Sequence, residues 1–150
     1  MKPESEYFIP KLLRAERDVP SILVDADALL ELLLRADPMM SATDRRRYND
    51  RAIRQIQEVI AQFTLAYDFP GDRLEHLKRL WAAITSFIHT MRIIGTTNAI
   101  CIQPKYETMT PHQMKVELVN RIASLDEGAD KWRKSVLKAQ RTKGTTPTNG

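Results

Sequence analysis

Three histidines (His76, His89, His112), one cysteine (Cys101) and scattered carboxylates are the side chains of this 150-residue chain that could catalyse a reaction or hold a metal. Their spacing argues against both. A di-iron helical bundle needs Glu-x-x-His, yet the residue three after Glu58 is Ala61, after Glu75 Lys78 and after Glu117 Asn120. His-Glu-x-x-His does not occur. Cys101 stands in an Ile100-Cys101-Ile102 triplet, a setting that suits packing better than nucleophilic attack. Glu75 and Glu107 have no identifiable carboxylate partner for acid–base work. Asp126, Glu127 and Asp130 could gather Mg²⁺, but the interleaved Lys131, Arg133 and Lys134 read as helix-surface ion pairs. Five glycines leave little for a phosphate loop. The expectation is a protein without catalytic residues, metal or cofactor.

The cations are more informative. The chain carries 23 Lys and Arg against 19 Asp and Glu, a formal charge of +4. Residues 1–40 are net −3, residues 41–110 net +3 and residues 111–150 net +4. Late in the chain, Lys131, Lys134, Lys138 and Arg141 recur at 3, 4, 3, which gathers them on one side of a helix, and Lys143 prolongs the row. Arg47, Arg51 and Arg54 repeat the arrangement at 4 and 3, with Arg45 and Arg46 alongside. Aligned like charges repel by a few tenths of a kcal/mol per pair, a cost a fold tolerates. A single such row reads as a solvated face, whereas two in a basic chain favour an anionic partner. RNA or DNA is the expected one, bound through phosphates with weak sequence specificity, because few aromatics are free to read bases. The alternative is a generic helical adaptor or oligomerisation protein that meets an acidic protein surface.

Four helical stretches must position these rows. Residues 1–20, with Pro3, Pro10 and Pro20, read as an N-terminal extension. From Ser21, the apolar residues Ile22, Ala26, Leu29, Leu30, Leu33 and Ala36 recur at three and four until Asp37-Pro38, and Asp25 and Asp27 suit the positive end of the helix. A second helix over 44–67, capped by Ser41 or Thr43, carries the seam Ile53, Ile56, Ile60, Phe63, Tyr67 and stops at Phe69-Pro70-Gly71. A third, opened by the pair Asp72 and Glu75, carries Leu74, Leu77, Trp81, Ile84, Ile88 and Met91 and closes at Gly95. Leu80, Phe87 and Ile94 add a second apolar stripe, wider than one core face requires. Residues 96–109 form a long connection. Thr110-Pro111-His112-Gln113 is the clearest boundary, with a Thr cap, Pro at the first helical position and Gln three residues after the cap. The fourth helix carries Met114, Leu118, Ile122, Leu125, Ala129, Trp132 and Val136 to about Arg141, and the polar tail 142–150 is expected to be disordered.

The fold class expected is all-α, an antiparallel up-down four-helix bundle over 21–141. No run nears the ~18 apolar residues that span a bilayer, and the N-terminus lacks a secretory pattern, so a soluble cytoplasmic protein without a membrane partner is expected.

Several stretches carry a family resemblance. Asp50-Arg51-Ala52-Ile53 opens a long amphipathic helix; Leu74-x-x-Leu77-x-x-x-Trp81 begins one that runs to Met91-Arg92; Met109-Thr110-Pro111-His112-Gln113 follows; then come Leu125-Asp126-Glu127-Gly128 and Trp132-Arg133-Lys134. Over about residues 25–140, their order and spacing resemble the small four-helix-bundle family of rRNA intervening-sequence-encoded proteins and the accessory variability determinant (Avd) proteins of diversity-generating retroelements. The resemblance implies a non-catalytic accessory protein that assembles as a pentamer, binds the element's reverse transcriptase and binds nucleic acid through a basic surface in support of mutagenic reverse transcription. The binding role falls on Arg47, Arg51, Arg54, Lys131, Lys134, Lys138, Arg141 and Lys143, and the protomer contact on Leu80, Phe87 and Ile94.

Overall fold

The computed structural model describes residues 21–145, without the side chains of residues 70 and 140–145. Among the described residues it is all-helical with no strand. Four long helices form: α1 (Ser21–Ala36), α2 (Asp50–Asp68), α3 (Arg73–Thr96) and α4 (Pro111–Thr145). The 1–20 extension lies outside the described residues, as does the tail from 146. Helix α4 continues past Arg141 to Thr145, so residues 142–145 belong to the helix rather than the tail.

Local chemistry accounts for most boundaries. Asp37-Pro38 ends α1 in a 3₁₀ turn, because the pyrrolidine ring cannot continue an α-helix. Ser41 Oγ then accepts from the Asp44 amide at 3.2 Å and starts one helical turn, Ala42–Asp44. A π-helical turn, Arg45–Asn49, joins this to α2 with helical backbone throughout, so the expected single helix is continuous from Ala42 to Asp68 and widens where the arginines cluster. At the other end of the alphabet of caps, Thr110 and Gln113 form a reciprocal box: Gln113 N donates to Thr110 Oγ1 (3.1 Å) and Thr110 N donates to Gln113 Oε1 (2.9 Å).

Two expected caps are different. Asp72 precedes α3 without a side-chain cap bond. Gly95 lies inside α3, and the chain reverses at Asn98, whose φ of 53° is left-handed. Asn98 N donates to Gly95 O and Ala99 N to Ile94 O, the paired bonds that satisfy a helix's last carbonyls.

The core also sits differently from the expected seams. In α2 the buried apolar positions are Ala52, Ile56, Val59, Phe63 and Ala66, while Ile53 and Ile60 are half-buried and Tyr67 is exposed. Helix α2 packs against both α1 and α3. In α3, Leu80 and Phe87 are fully buried and Ile94 nearly so, within the same core cluster as Leu29, Ile56 and Leu125. Leu74, Trp81 and Ile88 lie at its margin. The stripe that the resemblance assigned to a protomer contact is therefore part of this chain's own core, because α3 faces both α2 and α4.

Helices α1 and α4 meet through polar and close contacts. Asp25, buried on α1, accepts from Arg121 Nη1 (3.1 Å) and Ser124 Oγ (2.6 Å) of α4. It serves packing between helices rather than the helix dipole. Gly128 lies so near α1 that a Cβ there would fall 2.8 Å from Ser21 Oγ. No described helix is long and apolar enough to cross a membrane.

Candidate nucleic-acid interface

The two cation rows have different fates. On α4, Lys131 Nζ pairs with Glu127 (3.1 Å) and Lys134 Nζ with Asp130 (2.8 Å), each one helical turn back. Arg133 lies over the Trp81 ring at 5.4 Å from its centroid. Lys138 is exposed and is not without a partner. The side chains of Arg141 and Lys143 lie outside those described. Between Asp126 and Lys134, three carboxylates match three cations, so this stretch carries no net charge. Exposed pairs of this kind hold by only about 0.3–0.5 kcal/mol, and the neutralisation is confined to this stretch, since residues 135–143 add Lys138, Arg141 and Lys143 with no carboxylate.

In the π turn and at the start of α2 the contrast lies in pairing. Residues 45–54 contain five arginines and one carboxylate, Asp50, a net +4 within ten residues. Arg47, Arg51 and Arg54 are exposed and form no ion pair among the described residues. From Arg47 to Arg54 the helix rises ~10 Å, about three phosphate steps along one strand. Arg45 is held back towards Asp37 at 3.8 Å, and Arg46 Nε donates to Ala42 O. Asn49, fully buried in the π turn, donates to Leu33 O (3.1 Å) and Asp37 Oδ1 (2.9 Å), tying the arginine-rich turn to the end of α1.

Arg51 also lines a groove of ≈ 590 Å³ that runs from α2 across the outer face of α3. His89 and Arg92 of α3 line it with Thr85 and Ser86, and Asp126 of α4 is the one carboxylate that lines it. The buried Gln55 Oε1 on the same wall has no hydrogen-bond partner among the described residues. Two guanidiniums and an imidazole around a hydroxyl-rich trough suit a string of phosphate oxygens. Sequence reading missed His89 and Arg92, because they belong to no row on their own helix and join Arg51 only through α2–α3 packing.

The remaining reactive groups stay apart. His76 Nδ1 lies 3.1 Å from Gln62 Oε1, a packing contact between α3 and α2. Cys101 is exposed rather than buried, so its apolar neighbours do not draw it into the core. Among the described residues no group of three or more His, Cys, Asp or Glu is placed to hold a metal ion.

The connection between α3 and α4 is firmly built. Cys101 N and Ile102 N both donate to Met39 O, at 3.0 and 2.9 Å. Gln103 Nε2 reaches the carbonyls of Pro104, Glu107 and Met109. Glu107 receives two bonds from the Arg35 guanidinium and one from the Met109 amide. The guanidinium, then the amides, hold the Glu107 carboxyl down at about 2. Compared with known proteins, the chain matches no family model, no curated protein and no solved structure.

Proposed function

We propose that this protein is a non-catalytic, nucleic-acid-binding antiparallel four-helix bundle whose phosphate-gripping face is formed by α2 and α3. The observation that carries the reading is the net +4 of residues 45–54, displayed by exposed Arg47, Arg51 and Arg54 and continued by Arg92 across the groove. The up-down arrangement is supported by contacts that advance on one helix as they retreat on the next. Ser21 lies against Gly128, Asp25 against Ser124 and Arg35 against Glu107. Gln62 likewise meets His76, while Arg51 and His89 line one groove.

The motif resemblance extends this reading to an accessory factor of a diversity-generating retroelement that binds its reverse transcriptase and an RNA or DNA with weak sequence specificity. It also carries the proposal of a homo-oligomer, a pentamer in the resembled family. Leu80, Phe87 and Ile94 are spent on the chain's own core, so an assembly uses other side chains. The carboxylates of 126–130 pair with Lys131 and Lys134, which makes these two lysines secondary in the nucleic-acid contact.

A salt titration of RNA binding tests the reading. Three to five phosphate contacts give a log Kd against log salt slope of about 2 to 4 for a single strand. Binding that ignores salt, or none at low salt, overturns it.

A further inference from the structure

We propose that the connection between α3 and α4 is a preformed stacking platform for one unpaired base, with Tyr106 as the ring and Lys105 as the adjoining phosphate contact. This makes the ligand class single-stranded rather than duplex nucleic acid. The proposal rests on the nucleic-acid reading above and specifies its ligand.

Tyr106 is 90% exposed, the most exposed large apolar side chain among the described residues. Such exposure gives the fold nothing, since neither the ring nor its hydroxyl meets the core. Lys105 Nζ lies 5.7 Å from the ring centroid, within the range of cation–π attraction, so the two side chains form one unit. The segment beneath them is anchored on both sides. Its start hangs from Met39 O, its middle is laced by Gln103 Nε2, and its end is fixed by the Arg35–Glu107 fork. A platform already ordered loses little conformational freedom when a ligand arrives.

Its surroundings suit a nucleotide. Glu107, the only carboxylate of residues 97–110, is occupied by Arg35 and the Met109 amide and repels no phosphate. The Met39 anchor sets the platform against the turn that leads into the arginine-rich segment, where Arg45 approaches Asp37. Ring and arginines therefore share one end of the molecule. Arginines that touch only phosphates accept duplex and single strand alike. A ring needs an open base face, which a single strand offers and a stacked duplex does not.

Fluorescence anisotropy on the full chain, with a labelled single-stranded RNA of about a dozen nucleotides and its matching duplex, tests the proposal. Tyr106→Ala should weaken single-strand binding roughly 5- to 150-fold and leave duplex binding unchanged. Tyr106→Phe should retain the wild-type preference, because stacking needs the ring and not the hydroxyl. Single-strand binding that is indifferent to Tyr106→Ala, or an equal loss on the duplex, overturns the platform alone. A wild-type chain that binds neither RNA overturns the functional reading beneath it.

Discussion

Asp25 Oδ1 lies 3.1 Å from Arg121 Nη1, and the two partners are unequally covered: the carboxylate side chain is 4% exposed and the guanidinium 42%. The pair joins α1 to α4, and its asymmetry has a measurable consequence. Removing Arg121 leaves a buried carboxylate with Ser124 Oγ as its remaining donor, whereas removing Asp25 leaves a cation that can turn to water. Arg121→Ala should therefore destabilise more than Asp25→Ala, about 3 against about 1–2 kcal/mol, in urea unfolding followed by circular dichroism. Equal losses would mean that the pair is not buried in solution.

Phe87 and Leu80 decide whether the second stripe of α3 is core or interface. Both are 0% exposed. Phe87→Ala should cost about 3–5 kcal/mol and Leu80→Ala about 2–5 kcal/mol. Light scattering should show no smaller folded species for either. A fully stable, dissociated Phe87→Ala would return this stripe to a contact between copies.

Glu107 makes the α3–α4 connection sensitive to acid. Its carboxyl sits at about 2 rather than its ordinary 4.5, so the folded state prefers the ionised form. The contribution is complete above about pH 4.5 and disappears as pH falls from there towards about 2. The thermal midpoint of wild type should exceed that of Glu107→Gln at neutral pH, and the two should converge across this window. A gap that persists at its acid end would show that the fork with Arg35 is not the source.

The sequence is most readable where a signal is local. The Thr110–Gln113 box needs only its own four residues, and the structure contains it bond for bond. Asp37-Pro38 ends α1 for a reason internal to proline. Signals that depend on neighbours are harder to read. Ala52 and Ala66 look weak beside Ile53 and Ile60, yet both alanines are fully buried while the isoleucines are only partly so. Asn98 stops α3 where Gly95 is the stronger sequence cue, because buried Ala99 and Ile94 fix the turn. The same holds for the candidate site. Arg47, Arg51 and Arg54 stand out by their spacing alone. His89 and Arg92 gain meaning only beside Arg51, and Tyr106 only once its loop is seen to be anchored. The α4 row is the converse case, since helical spacing that aligns Lys131 and Lys134 also sets Glu127 and Asp130 one turn behind them.

The location of the proposed polyanion face is measured most directly by comparing two charge reversals in one RNA-binding assay at fixed low salt. Arg51→Glu with Arg92→Glu should abolish retention at concentrations where wild type is saturated, with helicity unchanged by circular dichroism. Lys131→Glu with Lys134→Glu should weaken binding only severalfold, since those lysines face carboxylates of their own. Full retention by the arginine pair together with loss in the lysine pair would contradict the account and move the site to α4.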